Sequence, residues 1–284
     1  MTCALVWFRQ DLRLADNPAW WEACQQVIPV FIDDPTPTSL SQLGAASRVW
    51  LQHSLASLEQ TLQVRGSRLI LRQGSALAVL QTLIRETGAT HLFWNRCYDP
   101  ASLERDKAIK AALKEDLSVQ SFNAALLREP WQVLKNDGQP YKVYTPFWKA
   151  LLKLGITQEL LPEPNTIPKP SQWPYSLVLN DLQLLPKIRW DQGMMQTWQV
   201  GELAALNKLM NFLETTVTDY KTARDQPAVL GTSRLSPHLH FGEISPRQVA
   251  FLAQQYLAEH PESSMGVQHF VQELAWREFA WYLL

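Results

Sequence analysis

Five short apolar runs, spaced by helix-length segments, constrain the first half of this chain more than any other feature. They are Cys3–Phe8, Val27–Asp33, Arg68–Arg72, Thr90–Asn95 and Val119–Asn123. Between the second and third, Val49, Leu51, Leu55, Leu58 and Leu62 recur at helical spacing over Gly44–Val64, and Gly66 fits as the stop. Asn17 followed by Pro18 supplies an N-cap and an N1 proline for a short helix reaching Cys24. Ser75 caps a helix that ends at Gly88, and a charged helix spans Ala101–Lys114. Strands that alternate with helices through short connections build a parallel sheet with both faces covered. The expected fold class is therefore α/β, doubly wound and Rossmann-like in its N-terminal part.

Such a sheet binds ligands beyond the carboxyl ends of its strands. Here those ends carry Arg9-Gln10-Asp11, Asp33-Asp34 and Arg96-Cys97-Tyr98-Asp99. Ordinary polar loops would read the same way. No GxGxxG or GKS/T loop occurs, so neither a Rossmann dinucleotide fingerprint nor a P-loop is supported.

The pattern changes near Glu129. Prolines crowd the stretch from Pro162 to Pro186 and strand signals disappear, which reads as a long connection over the surface. Within it, the aromatic cluster Tyr141–Trp148 leads into a helix through Leu154. An all-helical region begins at Gly201, with helices over Gly201–Phe212 and Leu213–Thr222 and an apolar face of Leu203, Leu206, Leu209, Met210 and Leu213.

Composition narrows the function classes. At 284 residues and 46% hydrophobic content the chain can bury a core of one or two domains. A net charge of −1 gives no bulk attraction for nucleic acid, so any such contact needs a local cationic patch. No apolar run reaches the roughly 18 residues of a membrane span, which leads to the expectation of a cytoplasmic protein without a membrane partner. Cys3, Cys24 and Cys97 are scattered and in no CxxC spacing, so neither a disulfide framework nor a zinc site is signalled. His238, His240 and His269 share no ligand spacing with Cys or acidic partners, and no metal is expected. Most of the 12 tryptophans are assigned to the core.

The densest chemistry lies in Tyr220–Arg247. Gly231-Thr232-Ser233-Arg234-Leu235-Ser236-Pro237 sets hydroxyls, backbone amides and a guanidinium ahead of a helix start, a donor set suited to a diphosphate. Plain capping is the competing account, with Ser236 and Ser245 as N-caps, Pro237 and Pro246 at N1, and Gly242 between two helices. On the last helix, predicted from Gly266 onward, Glu273, Trp276 and Arg277 fall at i, i+3 and i+4 with Phe270 one turn earlier. That face offers an acceptor, a flat ring and a planar cation for a nucleobase. A core tryptophan beside a surface ion pair would have the same spacing. The run Phe279–Leu284 ends without a helix stop, so a fragment, or an end covered by partner surface, is expected.

These residues resemble the DNA photolyase and cryptochrome family along essentially the whole chain. The likeness runs through Val6-Trp7-Phe8-Arg9-Gln10-Asp11-Leu12-Arg13-Leu14, Lys142–Phe147, Gly231–Pro237, Gly242–Arg247 and Glu273–Phe279, in that order. The resemblance, closest to a class I cyclobutane pyrimidine dimer photolyase, implies an antenna domain over 1–130, a connection over 131–200 and the start of an all-α FAD-binding domain over 201–284. It implies FAD contacts at Tyr220, Thr232, Ser233, Arg234, Leu235, Ser236, Phe270 and Arg277. DNA contacts follow at Arg224, Glu273, Trp276 and Arg277, with Glu273 and Trp276 carrying the catalytic recognition of a pyrimidine dimer. The implied activity is light-driven repair of UV-damaged DNA by an electron from excited reduced FAD, in a monomer. A cryptochrome photoreceptor acting through partners, or a non-catalytic fragment retaining the antenna fold, are the alternatives. Arg9, Arg48, Arg96, Asp99 and Glu104 are the antenna-contact candidates, and folate, deazaflavin and a second flavin are equally compatible with them. His240 stands where some relatives have lysine, and Ala280 where relatives often have an aromatic. Because the family chain continues beyond residue 284 with further flavin-pocket residues, the isolated chain is expected to bind FAD poorly and to repair nothing.

Overall fold

The computed structural model describes residues 3–23, 26–35, 43–156, 159–163 and 167–284. Cys24 lies outside them. Strands β1 (Cys3–Phe8), β2 (Gln26–Asp33), β3 (Ile70–Gln73), β4 (His91–Asn95) and β5 (Ser118–Phe122) form one parallel sheet in the order β3-β2-β1-β4-β5. Helices α1 (Pro18–Glu22), α2 (Ala45–Val64), α3 (Ala76–Thr87) and α4 (Pro100–Leu113) alternate with them. The α/β expectation holds, and so do its element types.

Central β1 is buried at every position because both its faces are covered. Alternation along it sorts the core: Ala4, Val6 and Phe8 meet Leu55, Leu58 and Leu62 of α2 on one face. Leu5 and Trp7 meet Leu80 and Leu83 of α3 and Ile109 and Leu113 of α4 on the other. Strand β3 begins at Ile70 rather than at Arg68, since the Leu69 amide donates to Glu59 Oε2 at 2.5 Å instead of to a neighbouring strand. Its outer edge is closed by the connecting segment. Leu71 N donates to Ser176 Oγ at 2.9 Å and Leu177 N to Leu71 O at 3.0 Å, which removes an edge open to foreign strands.

The second half is helical: α5 (Tyr144–Leu154), α6 (Gln192–Thr197), α7 (Glu202–Thr215), α8 (Tyr220–Ala223), α9 (Ser236–Phe241), α10 (Pro246–Glu259) and α11 (Ser264–Tyr282). A third core joins α5, α7, α10 and α11 through Phe147, Leu209, Val249 and Phe279. The connecting segment thus serves both halves, α5 in the helical core and Leu182 and Leu184 against the sheet.

Three sequence expectations are corrected here. Leu213–Thr222 is not a separate helix: α7 continues to Thr215, and a 3-10 turn over Val217–Asp219 leads into the single turn of α8. The β-branched run Thr215-Thr216-Val217-Thr218 disfavours continuation. The buried face of α7 is Ala205, Leu209, Phe212 and Leu213, while Leu203 is 70% exposed and Met210 37%. Ser236 is not a cap; Leu235 occupies that position, Ser236 and Pro237 are the first two helical residues, and no side chain caps α9.

Ser245 does cap α10. Its Oγ accepts from Gln248 N at 2.9 Å, the Gln248 side chain accepts from Ser245 N at 2.8 Å, and the hydroxyl donates to Asp16 Oδ2 at 2.5 Å. Because Asp16 is fully buried and paired with Arg247 at 2.9 Å, this cap also ties the helical half to the N-terminal half. Ser245→Ala is expected to cost about 2 kcal/mol, the upper end for a cap, read as a lower urea midpoint at unchanged slope.

Candidate functional site

A cavity of about 590 Å3 opens between the carboxyl end of the sheet and the helical half. That volume suits a cofactor-sized ligand. Gln10 and Asp11 follow β1, Asn95, Arg96, Cys97 and Tyr98 end and follow β4, and Ala124 and Ala125 follow β5. The opposite wall comes from Tyr220 on α8, the loop Thr232–Leu235, Ser236, Leu239 and His240 on α9, and Val249 on α10. Phe270, Glu273, Leu274, Arg277 and Trp281 complete it from α11.

Backbone proximity holds these walls together. A Cβ on Gly266 of α11 would fall 1.7 Å from Val217 O, so glycine lets α11 rest on the turn that delivers Tyr220. Tyr220 and Phe270 then meet edge to face, with centroids 5.7 Å apart, and Phe212 lies behind both at 5.5 and 4.7 Å. Arg234 has a left-handed backbone, φ 53°, a strained state for a non-glycine residue that its surroundings must impose. Its guanidinium lies 4.2 Å over the Trp198 ring.

The sheet side is a network of buried charges. Asp11 accepts from Arg9 N at 2.6 Å and from Asn95 Nδ2 at 2.6 Å, yet burial pushes its pKa up. Arg96 donates to Glu129 Oε1 and to Ser121 O, both at 2.5 Å, and the Tyr98 hydroxyl donates to Glu129 Oε2 at 2.9 Å. Burial raises the Cys97 thiol to about 11, so the cavity wall there is a neutral thiol. On α11, Arg277 Nη1 donates to Ala125 O at 2.8 Å, and burial lowers the guanidinium pKa. The His240 ring is also lowered, by burial first and by Arg277 second, and so faces the cavity uncharged at neutral pH.

Every residue for which a flavin contact was expected lines this one cavity: Tyr220, Thr232, Ser233, Arg234, Leu235, Ser236, Phe270 and Arg277. Glu273 lines it too. Arg224 and Trp276 do not: Arg224 pairs with Glu273 from outside, and Trp276 is stacked face to face on Tyr144, 3.6 Å between centroids and 8° between planes. Trp276 remains 45% exposed, its ring fixed in orientation by Tyr144 behind it.

The antenna candidates separate. Arg9 and Arg48 line a second, smaller cavity of about 90 Å3 with Trp7, Phe31, Asp33 and Arg105. Arg9 is held there by Asp106 at 2.8 Å, and Arg48 by Gln183 O at 3.0 Å. Arg96 belongs to the larger cavity, Asp99 caps α4 through Ser102 N at 3.0 Å, and Glu104 is exposed on α4. Sequence reasoning missed Asn95, Ala124, Ala125, Leu239, Val249 and Trp281; the strand-end rule could have pointed to Asn95, Ala124 and Ala125, which end β4 or follow β5, and no local signal pointed to the others. Among the described residues, no helix is long and apolar enough to cross a membrane, and no cluster of three His, Cys, Asp or Glu could hold a metal ion.

Comparison with known proteins adds a family to this geometry. The DNA photolyase family model matches residues 4–169. The deoxyribodipyrimidine photo-lyase of Agrobacterium fabrum is 43% identical over 99% of this chain and 58% of its own length. Cryptochrome-2 of Arabidopsis thaliana is 36% identical over 98% of this chain and 48% of its own. The crystal structure of a class III photolyase from Agrobacterium tumefaciens superposes with a TM-score of 0.95 at 42% identity, covering 100% of this chain and 59% of that one. The chain spans less than two thirds of the length of each of these three relatives.

Proposed function

The chain belongs to the DNA photolyase family, and on that premise we propose that it works in light-driven repair of cyclobutane pyrimidine dimers, as a deoxyribodipyrimidine photo-lyase. The observation that carries this reading is the shared cavity, which joins a hydroxyl-rich loop, aromatic walls and the Glu273 carboxylate in one space. Hydroxyls and amides suit phosphates, while Phe270, Leu239, Val249 and Leu274 suit an apolar ring, so the donor set fits a flavin dinucleotide. Thr232–Ser236 and Tyr220 would hold its phosphates and sugar chain, and Phe270 and Arg277 would border its ring. When bound, reduced FAD would supply light-driven one-electron chemistry to the dimer, with no net redox change.

The chain's own residues do the rest. Glu273 accepts hydrogen bonds from a base edge at the cavity mouth, and Trp276, pre-oriented by Tyr144, gives a base a stacking face. Arg277, and Arg224 once drawn from Glu273, supply local positive charge that the net charge of −1 lacks. We place an antenna chromophore, folate, deazaflavin or flavin, beside Arg9 and Arg48. The division into 1–130, 131–200 and 201–284 belongs to the same proposal.

The test is repair of a thymine-dimer oligonucleotide by the natural gene product, in light and in darkness, with and without Glu273→Ala. Repair is expected in light alone, and the variant should lose about tenfold or more, the scale of a charged hydrogen bond. Equal activity in light and darkness rejects the enzyme reading. Photoreduction of flavin without repair would favour a signalling role instead.

A further inference from the structure

We propose that the Arg224–Glu273 ion pair is a specificity latch, which opposes binding of undamaged DNA and is released only when an extruded base occupies Glu273. This rests on the reading that a DNA strand crosses this face. The pair bridges α8 and α11, and its side chains are 30% and 35% exposed, so a phosphate can reach the guanidinium. Asp225 approaches the same guanidinium at 3.7 Å, and the Tyr220 ring lies 5.6 Å below it. In the free protein this cation is therefore already occupied by two carboxylates.

The asymmetry between the partners makes the pair selective. Glu273 lines the cavity, whereas Arg224 lies outside it. A phosphate that takes the Arg224 Nη1 edge draws it from Glu273, leaving a carboxylate at the cavity mouth without its cation. An ionised carboxylate only accepts hydrogen bonds. An undamaged, stacked strand presents phosphate oxygens there, which are acceptors of like charge, and nothing compensates the displaced carboxylate. A base turned out of the stack presents N–H donors on its edge. Only that strand satisfies both members of the pair at once, so discrimination comes partly from what the wrong strand leaves unpaired. A carboxylate acting by plain repulsion would weaken binding of undamaged DNA equally with or without Arg224, whereas the latch acts only through Arg224.

The measurement is fluorescence anisotropy in the dark, with labelled undamaged and thymine-dimer oligonucleotides over a range of salt. Glu273→Gln should tighten binding of undamaged DNA about threefold, the scale of a half-exposed ion pair. It should also steepen the salt dependence by about one phosphate contact. Adding Arg224→Ala should cancel both gains, and preference for the dimer should fall in each variant. Glu273→Met, similar in length and without the charge, should repeat the tightening, and melting curves check that each variant folds. Unchanged or weaker binding of undamaged DNA by both Glu273 variants overturns the latch. So does absence of DNA binding by every variant, which overturns the strand placement as well. The outcomes separate from those of repair: dimers repaired in light without tightening by Glu273→Gln reject the latch alone, and tightening without light-driven repair rejects the enzyme reading alone.

Discussion

Replacing Gly242 by valine is expected to cost about 3 kcal/mol or more and to open the cavity between the two halves of the molecule. Gly242 ends α9 in the left-handed conformation, φ 67°, which a β-branched residue adopts only with strain. A Cβ there would fall 2.0 Å from Gln10 O and 2.5 Å from Asp11 Cα. These are backbone atoms, so no side chain can swing aside. They are also fixed by other bonds: Leu12 N donates to Phe241 O at 3.1 Å, and Arg13 Nη1 donates to Gly242 O at 2.9 Å. Gln10 and Asp11 form one wall of the cavity, and Leu239 and His240 the other. A melting temperature lower by about 6 °C or more should accompany that loss of stability. Gly193→Ala is the control, since a Cβ at that position in α6 meets nothing within 4 Å and should be neutral or slightly stabilising. Equal melting of Gly242→Val and the parent would show that this junction tolerates a displacement that its backbone contacts forbid.

What could be read in advance follows the range of the forces involved. The sheet was legible because β1, buried on both faces, is apolar at successive positions, a pattern that needs no knowledge of distant residues. The Ser245 cap was legible for the same reason, its partner Gln248 being three residues away. On α7 the same logic failed: Leu203, Leu206 and Met210 are as apolar as Leu209 and Leu213, and only the contacts of α10 and α11 select the buried face. Ser236 failed because a Ser-Pro pair fits both a cap and a first turn, and the backbone chose the second.

The candidate site divides along the same line. The hydroxyl loop and the Glu273–Arg277 spacing are local in the chain and could be found. The joining of those elements to Asn95, Arg96 and Ala125 is made by chain segments far apart in sequence, through bonds such as Arg277 Nη1 to Ala125 O. Trp276 shows the limit of helical spacing. It lies three residues from Glu273, yet Tyr144 captures its ring outside the cavity.

Acidification should stabilise this protein through Glu278, and Glu278→Gln should remove that effect. The carboxyl is buried beside Arg277 on α11, with backbone bonds from Leu127 and, at 3.4 Å to its Oε2, from Arg128 N, while its Oε1 has no hydrogen-bond partner. Arg277 Nη1 lies 3.9 Å away and donates instead to Ala125 O. Burial therefore outweighs the nearby cation and raises the Glu278 pKa to about 7. A carboxyl that binds its proton more tightly when folded adds stability below its unfolded pKa, and that stability is lost as pH rises through the folded value. From pH 5 to pH 8 the contribution should fall by roughly 2 kcal/mol. His240 acts in the opposite sense at the acid end, because its lowered pKa makes protonation unfavourable in the folded state. Both proteins share that histidine, so subtracting their urea-derived stabilities cancels it. The advantage of Glu278→Gln over the parent should be greatest at pH 8 and shrink steadily toward pH 5. Parallel curves would mean that this carboxyl ionises as readily in the folded protein as in the unfolded chain. The same titration bears on the cavity, because the segment that Glu278 holds through Arg128 N is continuous with Ala125, and Ala125 O seats the Arg277 guanidinium in the cavity wall.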